Sequence, residues 1–250
     1  MPNNTTIANY YTLKEQDKFT LLEEYIAQGQ ISESFLMDIL ATEKSNSLRW
    51  LAVKGLGVVR SKAATSRLIQ LCKEPDENFD HTSLHAICTW SLGRIGISAL
   101  NDVMELLKES DAETRRCAVD ALGEIKHPIA VEKLAKALTD DEYSVKLWAG
   151  LSLAKIGDDA LPNLHDIFSQ SDNETKLIAL DAILKIGSDK STAFVRNSLM
   201  NGSSEEKKIV LAKGDKYHRM LLSEITVLAD ADDGDFSELA YLILRSHSPN

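Results

Sequence analysis

Five stretches of this chain repeat one helical phrase: LAVKGLGVV from Leu51, ICTWSLGRIG from Ile87, CAVDALGEI from Cys117, WAGLSLAKIG from Trp148 and IALDAILKIG from Ile178. Superposed on Ala52, Cys88, Ala118, Ala149 and Ala179, the copies are 36, 30, 31 and 30 residues apart. Such a period is the signature of stacked helical hairpins, which bury an apolar face only against the next copy. Numbering columns from the superposed residue, columns −1, 0, +3, +4 and +7 recur at helical steps and form one apolar stripe. Column +4 holds Leu56, Leu92, Leu122, Leu153 and Ile183, and columns 0 and +3 stay small, which lets helices approach closely.

Each phrase is followed by a turn and a second apolar-periodic segment, such as Leu100, Val103, Leu106 and Leu107. Pro128 and Pro162 suit the first turn of second helices. Gly96, Gly157 and Gly187 suit left-handed ends of first helices, and Asp111 and Asp172 suit their N-caps. The predicted fold is all-α, a right-handed α-solenoid. Residues 1–44 form an N-terminal capping hairpin that opens on a Thr12/Glu15 capping box, residues 45–202 form five repeats, and residues 203–250 form C-terminal capping helices or a degenerate sixth repeat. The longer first step places extra residues in a loop from Lys73 to His81.

The string of Ala, a small residue, Leu-Gly and Ile-Gly, clearest in ICTWSLGRIG, CAVDALGEI and WAGLSLAKIG, resembles HEAT-like repeats of the phycobilin-lyase type over roughly Ser45–Gly202. That class includes bilin lyase subunits, phycobilisome-degradation factors, iron-dependent deoxyhypusine hydroxylases and scaffolds without chemistry. The resemblance implies a solenoid whose surface holds a protein or a ligand.

Composition narrows the function. A net charge of −10 with an isoelectric point near 5.1 opposes nucleic-acid phosphates. No apolar run reaches the ~20 residues of a membrane span, and the amino terminus has no signal-peptide pattern, so a cytoplasmic location is expected. The three cysteines, Cys72, Cys88 and Cys117, lack metal-motif spacing and read as reduced core thiols. The six histidines fall at unrelated columns and form no His-Glu pair of the hydroxylase kind, so neither a metal nor a catalytic residue is expected. GLGVVR from Gly55 reads as helix packing, since no strand precedes it. The acidic stretch from Asp230 reads as a capping loop whose spacing does not fit an EF-hand.

Two features stand out as candidate partner-binding groups. Column −3 carries Arg49, His85, Arg115, Lys146 and Lys176. It reads either as an anion-facing stripe that steers an acidic partner or a tetrapyrrole's propionates, or as a structural ladder to acids such as Asp111, Glu142 and Asp172. Trp90, at column +2, occupies a column that is charged in three copies and is expected to face water. Trp50, at column −2, shares its strip, extended by Leu147 and Leu151. The strip reads as a contact surface or as half-buried packing, and Trp148 is assigned to the core. The expected function is a non-catalytic, protein-binding scaffold without a cofactor. The alternative is a bilin lyase subunit or phycobiliprotein-handling factor with phycobilin as its ligand.

Overall fold

The computed structural model of the protein describes residues 9–76, 83–231 and 234–246, with side chains at 214–218 and 234–235 excluded. The described residues are helical with short turns, in an α-solenoid of helical hairpins. They fall into two compact units that divide at Ser152. The first contains α1 (Glu15–Ala27), α2 (Glu33–Thr42), α3 (Asn46–Val58), α4 (Thr65–Leu71), α5 (Leu84–Ile95), α6 (Leu100–Glu105), α7 (Ala112–Ile125) and α8 (Val131–Ala137). The division lies within α9 (Tyr143–Ile156). The second unit continues through α10 (Leu161–Gln170), α11 (Asn173–Ile186), α12 (Asp189–Asn201), α13 (Ser204–Ala212), α14 (Gly214–Ala229) and α15 (Gly234–Ser246).

Helix ends follow local chemistry. Asp111 and Asp172 accept hydrogen bonds from the backbone N–H groups of Thr114 and Thr175, at 2.8 and 2.9 Å. Gly96 and Gly157 end first helices at φ of 77° and 90°, where a side chain would be strained. The Thr12/Glu15 box does not form: Lys14 is the N-cap of α1, Thr12 Oγ1 donates to the Asn9 carbonyl, and Glu15 accepts from Ser45 Oγ. A capping box forms instead at Ser203 and Glu206. Of the loop expected from Lys73 to His81, residues 77–81 lie outside the described residues.

The spine expected at column +4 is buried throughout, with Leu56, Leu92, Leu122, Leu153 and Ile183 all at 0% exposure. Removing such a leucine from water contributes roughly 1.5–3 kcal/mol. Column +7 is buried only at Ile95, whereas column +1 is buried in every copy. The difference has a physical source. In the first unit α3 packs on α5 and α5 on α7, so each first helix meets neighbouring first helices on its flanks as well as a second helix. The buried face therefore widens towards columns +1 and +5.

Column +5 sets the distance of that approach. A Cβ on Gly57 would lie 2.6 Å from Ser91 Oγ, one on Gly93 2.3 Å from Glu124 Cβ, and one on Gly123 2.3 Å from Ser152 Oγ and 2.9 Å from its Cα. Ser91 Oγ also donates to the Val53 carbonyl at 2.9 Å, a hydrogen bond between adjacent first helices. Glycine in an isolated helix costs about 1 kcal/mol relative to alanine. Here the Cβ meets backbone, which cannot swing aside. Gly123→Ala is expected to destabilise the protein by about 1–3 kcal/mol despite its better helix propensity, as overpacking does. Urea denaturation checks this, and a stabilised variant would show that the helices do not touch at this point.

Candidate functional site

Of the column −3 residues, Arg49, His85, Arg115 and Lys176 stand against acids from the following loop or helix. Arg49 lies 3.4 Å from Glu74, and Lys176 lies 2.9 Å from Glu205. Arg115 grips both carboxylate oxygens of Asp140 at 2.8 Å, reaches Asp141, and donates to the carbonyls of Glu109 and Ser110. His85 Nδ1 lies 3.1 Å from Glu113, and Lys146 is half-buried on α9. Acids that pair with this column include Glu74, Glu113, Asp140, Asp141 and Glu205, and Asp111 and Glu142 add their charge near Arg115.

Trp50 and Trp90 are half-buried, on α3 and α5. Lys54 Nζ stands 5.3 Å from the Trp50 ring and the Arg94 guanidinium 5.9 Å from the Trp90 ring, each one helical turn away on the same helix. Trp148, expected in the core, is half-buried instead, with the Arg116 guanidinium of the preceding first helix 5.4 Å from its ring. A column −1 side chain of tryptophan's size extends past the small-residue contact to the flank, where a cation covers it. Leu147 is exposed beside it and Leu151 is half-buried. Column +2 is less open than its charges imply: Asp120 is buried and accepts from Thr89 Oγ1 at 2.8 Å, and Asp181 bonds Lys213 at 2.8 Å.

A second group assembles beneath α5 and α7. One ligand atom each of His85, Glu113 and Cys117 lie within 4.8 Å of one another. His85 Nε2 faces the Glu74 carbonyl at 2.8 Å. Arg116 donates from Nε to Glu113 Oε2 at 2.8 Å and from Nη2 to Oε1. The Arg116 guanidinium and then His85 hold the Glu113 carboxyl down to about 2. Burial opposes charge on His85, but contacts with Cys117 and Glu113 outweigh it and carry its pKa upward. Cys117 contacts Cys72, and Cys72 contacts Cys88; the Cys72 contact and burial raise the Cys117 thiol. All three thiols are free and buried. Burial and a raised thiol pKa are the opposite of what an attacking Cys117 thiolate requires.

Sequence reasoning missed this group because its members are scattered along the chain. His85 stands at column −3 of one copy, and Glu113 and Cys117 at columns −5 and −1 of the next. Only the side-by-side packing of first helices joins them. His127 caps the Ile129 backbone N–H, and His165 stacks on Phe194 with centroids 3.6 Å apart, its pKa lowered by burial. His81, His218 and His247 lie outside the described side chains.

Residues 80–154 match the family of HEAT repeats. Over these residues the helical hairpins are HEAT repeats. Among curated proteins, none matches it. Solved structures similar to these HEAT-like repeats include the complex of CpcE and CpcF of phycocyanin lyase from Nostoc sp. PCC7120. Identity to it is 20%, over 88% of this chain and 89% of that one, with a TM-score of 0.44. The Escherichia coli protein YibA is 14% identical over 93% and 98%, with a TM-score of 0.46. A designed armadillo repeat protein in complex with the peptide (KR)4 is 16% identical over 97% and 98%, with a TM-score of 0.33. At these values no activity or partner passes to this chain.

The Arg115 cluster gives a direct test of the column −3 ladder. Arg115→Ala is expected to cost about 2 kcal/mol of stability, because charge-assisted bonds to two carboxylates and two carbonyls are lost together. Arg115→Lys is expected to recover less than half of it, since a single ammonium cannot bridge both oxygens of Asp140. Chemical denaturation of the two variants reads the difference, and equal stability of wild type and Arg115→Ala would contradict the role.

Proposed function

We propose that this HEAT-like repeat protein is a non-catalytic scaffold that binds another protein of acidic or mixed charge across the outer strip of its first helices. One observation carries the reading. Trp50, Trp90 and Trp148 all stand half-exposed on first helices, and each ring has a Lys or Arg cation within 6 Å. A tryptophan paired with a cation offers apolar area and a charge together, the combination that dominates binding energy at protein interfaces. Arg49, Arg115 and Lys176 support the strip by fixing the helices through ion pairs, and His85 and Lys146 complete their column.

No membrane partner is included: among the described residues no helix is long and apolar enough to cross a membrane. Nucleic acid is excluded from the proposal because the net charge of −10 repels it. Three free buried thiols suit a reducing cytoplasm.

The test is affinity capture from native lysate with the wild-type chain and with a Trp50→Ala/Trp90→Ala variant of unchanged circular dichroism. Proteins retained by the wild type are expected to be depleted at least about 10-fold on the variant, as loss of interface anchors implies. Equal retention by both would overturn the reading. A change in the visible absorption of added phycocyanobilin, lost in the same variant, would assign the tryptophans to a pigment instead.

A further inference from the structure

We propose that His85, Glu113 and Cys117 form a buried binding site for a divalent cation of the zinc class, with water as a fourth ligand. Separate observations converge on it. The three ligand atoms already lie within 4.8 Å of one another, although two adjacent first helices supply them. His85 and Cys117 are buried, while Glu113 keeps 44% of its side chain exposed and gives the site an edge on solvent. Imidazole, thiolate and carboxylate together are the donor set of zinc sites.

The hydrogen bonds around His85 add a constraint that a metal satisfies. A carbonyl oxygen only accepts, so the contact at 2.8 Å with Glu74 requires Nε2 to carry the proton that is donated. Nδ1 then faces a carboxylate oxygen 3.1 Å away, and two lone pairs at that distance need a positive species between them. A proton supplies it in a simple imidazolium–carboxylate pair, but such a pair has no use for a sulfur ligand. A metal ion uses all three donors. The Nε2–H bond to a backbone carbonyl is also the outer contact that orients a metal-bound histidine, and the Arg116 fork on both Glu113 oxygens fixes the carboxylate with Oε1 turned towards Nδ1.

Occupied, the site fastens α5 to α7, and so joins two successive hairpins by coordination as well as by packing. Cys72 and Cys88 lie outside the set.

The test uses the full chain, reduced and freed of metal, titrated with Co²⁺ and with Zn²⁺. One equivalent of Co²⁺ is expected to give sulfur-to-cobalt charge-transfer absorption with the visible bands of a tetrahedral ion, displaced by Zn²⁺. Zn²⁺ is also expected to raise the thermal midpoint. Cys117→Ser is expected to abolish the charge-transfer band, and Glu113→Gln, which keeps the side chain's shape, to weaken affinity at least about 10-fold. Cys88→Ala is expected to bind as the wild type does. A folded wild-type chain that takes up no cobalt, uptake without a sulfur band, or uptake unchanged in both Cys117→Ser and Glu113→Gln would overturn the site and leave only an imidazolium–carboxylate pair.

Discussion

Close contact between successive first helices, with glycine at column +5, is the constraint on which the first unit depends. At Gly57, Gly93 and Gly123 one added methyl group would fall within 2.6 Å of an atom on the next helix. Helices that close bring backbone polar groups within reach of side chains across the joint, as the Ser91 bond to Val53 illustrates. They also bring columns of one copy into register with columns of the next. Thr89 thereby meets Asp120, Arg116 covers Trp148, and His85 meets Glu113 and Cys117. Contacts that look unrelated along the chain are consequences of one spacing.

The same register sorts charge from grease. Basic groups at column −3 sit where the chain leaves one hairpin and enters the next, so acids from the following turn reach them and the pairs fasten loops to first helices. Tryptophans at columns −2, −1 and +2 lie on the flank that the neighbouring helix only half covers. Polar anchoring at one end of the helix and aromatic area along its flank leave the outer strip stiff and chemically mixed, properties that suit a binding surface.

Much of this was legible in the sequence because repetition multiplies weak signals. A single leucine at column +4 means little, but five in phase define a spine, and Asp111 and Asp172 cap the helices that the phrases imply. What stayed illegible depends on neighbours. Column +1 is buried because adjacent first helices cover it, which no pattern within one copy reveals. Trp148 escapes the core and Asp120 enters it for the same reason. The capping box at Thr12 failed because Glu15 bonds Ser45, a residue 30 positions away. The His85, Glu113 and Cys117 group was hidden most completely, since its spacing fits no linear motif and appears only when columns −3, −5 and −1 of successive copies are laid side by side.

Amide hydrogen exchange, read peptide by peptide on the intact protein, tests most directly whether contact between first helices governs the first unit. If it does, α3, α5 and α7 exchange slowest and lose protection together as denaturant is added, while α4, α6 and α8 exchange earlier. Second helices that outlast the first, or first helices that open one by one, would contradict the account.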